Sequence, residues 1–152
     1  MWMNIKIEEK QLTEALLEML VAFSEAWEQE QSCWGYRKND RADIEGNRIF
    51  LVQVDGQTIG YLFGHMEKAQ NMRSIMPADT PYFEMEELYI IPEKRSQGVG
   101  GALFRYAEDV LRNEKIEYIM LSTATKNHRA ILHFYIDEMG MDFWSARLFK
   151  KL

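Results

Sequence analysis

The sequence predicts a mixed α/β (α+β) domain with one central, mostly antiparallel sheet flanked by helices. Three observations carry that expectation. Asp55-Gly56 sits between two β-forming runs and marks a tight hairpin. A third strand candidate, Tyr82 to Ile91, stops at Pro92 and leads through a glycine-rich turn into a helix. Beyond it strand and helix alternate to the C-terminus, a pattern that layers helices against a sheet.

Taken in order, Asn4 to Glu8 reads as a short strand with Ile5 and Ile7 on one face. Leu12, Leu16, Met19, Leu20 and Phe23 recur at helical spacing and predict a helix from about Glu9 to Trp27. Residues 28–47 are polar and irregular, with room for a second short helix. Arg48 to Val54 and Thr58 to Gly64 form the hairpin, and Ala69 to Pro81 a loop. Val99, Leu103, Tyr106, Val110 and Leu111 mark the buried face of the helix after the glycines. Ile116 to Leu121 reads as a strand, Asn127 to Met139 as a helix stopped by Gly140, and Phe143 to Phe149 as a final strand.

No linker, repeat or low-complexity tract divides the 152 residues, so residues 1–152 read as a single domain. Asp and Glu number 24 against 18 Lys and Arg, a net charge of −6 that argues against nucleic acid as partner. The single cysteine, Cys33, excludes an internal disulfide and a Cys-rich zinc site, and no metal site is expected. Met1 to Ile7 alternates and lacks the basic start and apolar centre of a secretory signal. No apolar run approaches the roughly 20 residues of a membrane helix. A cytoplasmic protein without a membrane partner is the expectation.

The informative segment is Leu88-Tyr89-Ile90-Ile91-Pro92-Glu93-Lys94-Arg95-Ser96-Gln97-Gly98-Val99-Gly100-Gly101. Amides at a helix start lack intrahelical acceptors, and side-chain-free Gly98 and Gly100 let an anion approach them closely. Arg95 adds a positive charge at the rim. The physics points to phosphate or pyrophosphate. A dinucleotide fingerprint needs glycine where Leu103 stands, and a P-loop needs a lysine that is missing.

The pattern that fits is Arg-x-x-Gly-x-Gly, at Arg95, Gly98 and Gly100, after a strand ending Leu88-Tyr89-Ile90. It resembles the acetyl-coenzyme A signature of the GNAT superfamily of N-acetyltransferases. Asn127-His128-Arg129-Ala130, then Phe134-Tyr135 and Gly140-Met141, resembles the downstream helix motif of that family. The spacing from Asn127 to Tyr135 is one residue longer than its commonest version, so Phe134 and Tyr135 both compete for one position. The resemblance covers nearly the whole chain and implies a three-layer fold with a splayed central sheet.

It also implies acetyl-CoA as acetyl donor and a primary amine, of a small molecule or a peptide, as acceptor. Leu88, Tyr89 and Ile90 would contact the pantetheine arm, and Ser96, Gln97, Gly98, Val99, Gly100 and Gly101 the pyrophosphate. Asn127 would reach the coenzyme arm, and Tyr135 would act as general acid near the sulfur. A tyrosine suits that role because its pKa of about 10 keeps it protonated at neutral pH. A non-catalytic coenzyme A-binding regulatory module with the same fold is the alternative.

For the base, Glu84, Glu86 and Glu87 lie just upstream of the thioester contacts. Alternation puts Glu84 and Glu86 on one face and Glu87 on the other, unless a bulge intervenes. Glu86 and Glu87 are the candidates, with His65 a further one. Trp27, Trp34 and Tyr36 among Glu25, Glu28, Glu30, Asp40 and Asp43 suit either a cationic acceptor or an ordinary acidic surface. The apolar final segment suits pairing across an edge in a homodimer, and core packing explains it equally.

Overall fold

In the computed structural model residues 3–152 are described, so Met1 and Trp2 of the alternating N-terminal segment lie outside the described residues. Five strands form one sheet in the order β1-β2-β3-β4-β5. They are β1 (Ile5–Lys10), β2 (Arg48–Val54), β3 (Gln57–Lys68), β4 (Pro81–Ile90) and β5 (Ile119–Leu121). The first four are antiparallel neighbours, whereas β5 runs parallel to β4. The hairpin turn falls at Asp55 and Gly56, both at positive φ, the backbone that a two-residue turn between twisted strands requires.

Helix α1 (Glu14–Glu30) starts later than its apolar periodicity predicts. Thr13 caps it, its hydroxyl accepting from the Leu16 amide at 3.1 Å, and β1 continues to Lys10 because that residue still pairs with Ile49. Helix α1 and the short α2 (Arg41–Ile44) cover one face, burying Leu16, Leu17, Leu20 and Ile44 on Ile49, Leu51, Tyr61, Phe63 and Tyr89. Helix α3 (Val99–Asn113) covers the other, with Val99, Leu103, Phe104, Ala107 and Leu111 on Phe50, Val52, Leu62, Phe83, Met85 and Ile90. The expected three layers are present. No helix among the described residues is long and apolar enough to cross a membrane.

Two irregularities shape the centre of the sheet. Gly64 pairs with Met85 and Phe63 with Glu87, which leaves Glu86 as an extra residue in β4. Then β4 and β5 part company. They pair only at Phe83–Ile119, Glu84–Met120 and Met85–Leu121, so from Glu86 to Ile90 the β5 side of β4 has no strand beside it among the described residues. The expected strand from Ile116 is accordingly shorter, since Lys115 turns at positive φ and the Ile116 amide bonds to Leu111 as a helix cap.

Helix α4 (His128–Leu132) continues without a break into a π-helical segment, His133–Glu138. The wider turn absorbs one extra residue, which accounts for the long Asn127–Tyr135 spacing. The predicted final strand does not form. Residues 140–152 hold no regular structure, and Phe143, Trp144, Leu148 and Phe149 are exposed. Their β-forming chemistry finds no neighbouring strand to pair with among the described residues.

Gly64 sits where β3 faces the extra residue of β4. A Cβ there would collide with the Glu84 carbonyl oxygen and approach the Phe83 ring to 2.7 Å. Gly64→Ala is expected to cost about 1–3 kcal/mol in urea unfolding through overpacking, with no change in far-ultraviolet dichroism.

Candidate active site

The extra residue in β4 decides which carboxylates share a cleft. Without it Glu87 would lie on the α3 face with Phe83 and Met85. With it Glu87 joins Tyr89 on the α1 face, beside Tyr61 of β3. The bulge that alternation alone could not supply is therefore real, and Glu86 and Glu87 line one cleft of about 740 Å³. Tyr36, Asn39, Asp43, Asn47 and His65 border the same space.

Glu87 is the most heavily engaged of the three candidate carboxylates. Its Oε1 accepts from the Tyr61 hydroxyl at 2.7 Å, the Tyr36 hydroxyl at 3.2 Å and Asn39 Nδ2 at 2.9 Å. Its Oε2 accepts only from Asn39 Nδ2, at 3.0 Å, which leaves acceptor capacity on that oxygen. Burial raises the Glu87 pKa, opposed in part by the bonds from Tyr61, Asn39 and Tyr36, so the net direction is upward. Burial followed by the Glu87 charge pushes the Tyr36 and Tyr61 hydroxyls up as well, and both stay protonated as donors.

Asn39 is held by the polar chemistry of a segment that looks featureless in sequence. Its amide donates to the buried Ser24 hydroxyl at 2.9 Å, and Ser24 in turn donates to Val21 O. The next residue, Asp40, caps α2 through a reciprocal bond pair with Asp43. Arg37 grips Asp43 at 2.8 and 3.1 Å, which lowers the Asp43 carboxyl to about 2. Trp27 packs on Tyr36 and Tyr89, with ring centres 4.5 and 5.2 Å apart, and closes the aromatic side of the site.

The other carboxylates are less constrained. Glu86 is exposed, 3.6 Å from His65 Nδ1. His65 also meets Asn47 Oδ1 at 3.1 Å and Glu67 Oε1 at 3.0 Å, so both its ring nitrogens are engaged. Burial and then the Glu86 charge push the Glu84 carboxyl upward.

At the glycine-rich turn, the Lys94 and Arg95 amides close a 3-10 turn onto Ile91 and Pro92, and Ser96 and Gly98 follow at positive φ. From Ser96 to Gly101 the amides have no acceptor among the described residues, and they begin a fifteen-residue helix. A Cβ on Gly98 would meet nothing within 4 Å, so the approach is clear; one on Gly100 would face Leu88, Ile90 and Phe134 at 3.7–3.8 Å. Arg95 does not present a free charge. Its guanidinium is bound by Glu30 at 2.7 and 3.0 Å, lies over the Tyr89 ring at 5.2 Å and donates through Nε to Ile90 O. Attraction for an anion here rests on amide dipoles more than on that side chain.

In the core on the α3 side of the sheet, Tyr135 is buried between Phe104 and Phe134, whose ring centres lie 6.0 and 5.0 Å away. Burial drives its pKa upward, and Cys33 lies within electrostatic reach of it. Cys33 forms an isolated β-bridge with Thr125, its Sγ 3.8 Å from the Thr125 hydroxyl. It is held there by the segment after α1: the Trp34 amide bonds Ala124 O at 2.9 Å and the Lys126 amide bonds Ser32 O at 2.8 Å. Phe134 instead faces the glycine loop. Asn127 caps α4, its Oδ1 accepting from the Ala130 amide at 3.3 Å.

A sequence profile described as the acetyltransferase (GNAT) family matches residues 11–141. The chain belongs to the GNAT acetyltransferase family. An uncharacterized N-acetyltransferase in the pepI 3′ region of Lactobacillus delbrueckii subsp. lactis is 28% identical over 104 residues, which is 68% of this chain and 57% of that relative; the chain thus spans little more than half its length. Among solved structures, an aminoglycoside acetyltransferase from an uncultured soil metagenomic sample superposes with a TM-score of 0.71 at 13% identity over 99% of each chain. An aminoglycoside N-acetyltransferase in complex with CoA gives 0.67 at 15% identity, over 100% of this chain and 97% of that one. A transcriptional regulator from Bacillus halodurans gives 0.69 at 17% identity, over 97% and 100%. At these identities the likeness establishes the GNAT fold.

Of the residues that hold Glu87, Asn39 and Tyr61 are not among the candidates read from sequence. Tyr61 shares the face of Phe63 at strand spacing, a usable signal. Asn39 offers none, because only the fold carries it 48 positions along the chain to Glu87. Because burial raises the Glu87 pKa, its contribution to stability is full below the unfolded pKa and is lost as pH rises through the raised folded value. Glu87→Gln cannot ionise. It is expected to gain stability relative to wild type as pH climbs through that window, read by urea unfolding from about pH 4 to pH 8.

Proposed function

We propose that this GNAT protein is an acetyl-CoA-dependent N-acetyltransferase that moves an acetyl group to a primary amine of a small molecule or peptide by direct attack. The observation that carries the reading is the half-buried, three-donor seat of Glu87 beside the unpaired stretch of β4. Acetyl-CoA fits the residues around it: the amides from Ser96 to Gly101 are oriented for its pyrophosphate, with Val99, Gly100 and Gly101 in the first turn of α3. Bound there, it supplies an activated acyl group. Leu88, Tyr89 and Ile90 offer backbone groups to the pantetheine arm, Gln97 and Asn127 border its path, and Arg95 holds the end of β4 and the loop together through Ile90 O and Glu30.

In this reading Glu87 Oε2 takes the amine proton, directly or through one water, with Glu86 at the cleft mouth attracting the ammonium form. A carboxylate whose pKa is raised by burial is a stronger base than an exposed one, while Tyr61, Tyr36 and Asn39 keep it oriented. Tyr135 holds its proton at the hydroxyl and passes it to the departing thiolate. No covalent enzyme intermediate is required, because an amine held against a thioester attacks it directly.

The aminoglycoside-acting neighbours and the acidic, aromatic-walled cleft support a polycationic acceptor. The fold shared with a transcriptional regulator keeps a second reading open, a coenzyme A-binding regulatory module without turnover.

An amine screen that follows thiol release, run beside calorimetric titration of acetyl-CoA, separates the two. Binding with turnover supports the enzyme; binding without turnover on any amine supports the module. Glu87→Gln is expected to lower kcat by roughly 10²–10⁴ and to flatten the acid limb of the kcat/KM profile. In wild type that limb falls as pH drops through the raised Glu87 pKa. Tyr135→Phe is expected to slow thiol release with little effect on coenzyme affinity, and an unchanged rate would refute its role as acid.

A further inference from the structure

Gly98 and Gly100 leave the approach to the amides of the turn clear, and Gly101 leaves room for something else. It is buried in the first turn of α3. A Cβ there would stand 3.2 Å from Arg105 Nη1 and 3.3 Å from Met139 Cε, closer than ordinary van der Waals contact. The bare Cα of Gly101 thus makes the seat of a guanidinium. Arg105 follows Gly101 by one helical turn, and helical side chains lean toward the N-terminus, so its charge is carried back over the start of α3.

That charge is unspent. Arg105 is exposed, and it makes no ion pair and no side-chain hydrogen bond among the described residues. Farther along the same helix Arg112 pairs with Asp109 at 2.7 Å. Glu108 feels the field of Arg105 but forms no bond to it. Arg95, the guanidinium that the sequence motif itself supplies, is held by Glu30 at 2.7 and 3.0 Å. The full positive charge that the turn lacks at Arg95 is therefore present one turn into the helix, at Arg105.

We infer that Arg105 binds a phosphate ester of coenzyme A, a role that rests on the acetyl-CoA reading. The coenzyme carries two such groups, the pyrophosphate and the 3′-phosphate of its ribose, and a guanidinium grips either with two parallel hydrogen bonds. The amides of residues 96–101 attract an anion through partial charges alone, and Arg105 adds a full charge beside them. In a chain of net charge −6 it also offsets the repulsion that a polyanion meets on approach.

The test is calorimetric titration of the full chain, at low ionic strength, with coenzyme A and with dephospho-coenzyme A, which lacks the 3′-phosphate. Arg105→Gln is expected to weaken coenzyme A binding by about 10- to 100-fold, the range of a charge-assisted hydrogen bond. Circular dichroism is expected to stay unchanged, since the side chain is exposed. Arg105→Lys, which keeps the charge but not the fork, is expected to recover part of the loss. Arg112→Gln, the same loss of charge about two turns farther along, is expected to bind as wild type does. A loss confined to coenzyme A puts Arg105 on the 3′-phosphate, and an equal loss for both ligands puts it on the pyrophosphate; either supports the role. Unchanged coenzyme A affinity in Arg105→Gln, or an equal loss in Arg112→Gln, overturns it while wild-type binding leaves the acetyl-CoA reading standing. A wild-type chain that binds neither ligand overturns that reading and the role of Arg105 with it.

Discussion

The parting of β4 from β5 after Met85 is the constraint on which the candidate site depends. Three residue pairs hold the two strands parallel, and then the extra residue Glu86 twists β4 away. A sheet normally spends its backbone donors and acceptors on its neighbours. Here the stretch from Glu86 to Ile90 keeps them on one side, apart from Ile90 O, which accepts from Arg95 Nε, next to the N-terminus of α3. The same twist carries Glu87 to the α1 face, where Tyr61, Tyr36 and Asn39 converge on it. One local irregularity thus generates both a free backbone edge and a seated carboxylate.

Electrostatically the molecule separates two tasks that a basic protein would merge. Anion attraction resides in the unpaired amides of the glycine-rich turn and the dipole of α3, neither of which adds to net charge. Arg95 is spent on structure, tying Glu30 of α1 to the end of β4 and stacking on Tyr89. The acidic surplus is left to border the cleft, through Asp43, Glu45, Glu86 and Glu87. Burial raises the Glu87 pKa, and hydrogen bonds from neutral donors, with no cation among them, offset that only in part.

The far side of the parting follows different rules. Tyr135 is the one buried residue of the last helical stretch, and the π-helical turn sets its register between Phe104 and Phe134. The segment after α1 is tied to the stretch that follows β5 by two backbone bonds, from Trp34 to Ala124 and from Lys126 to Ser32. Beyond Gly140 this order ends, and the apolar tail stands outside the core that the rest of the chain builds.

Local chemistry determined much of this protein in the sequence itself. The Asp55-Gly56 turn, the apolar faces of α1 and α3 and the strand–glycine–helix passage around Gly98 each act over a few residues, and short-range sterics and periodicity suffice to read them. Tertiary structure decided the remainder. Whether Glu87 points to α1 or α3 depends on a bulge specified by the pairing of Gly64 with Met85, a relation between strands. The partners of Glu87 come from residues 36, 39 and 61, brought together by packing across the sheet. Phe143 to Phe149 has the composition of a strand but no strand of its own to join, because pairing requires a neighbour that composition cannot supply.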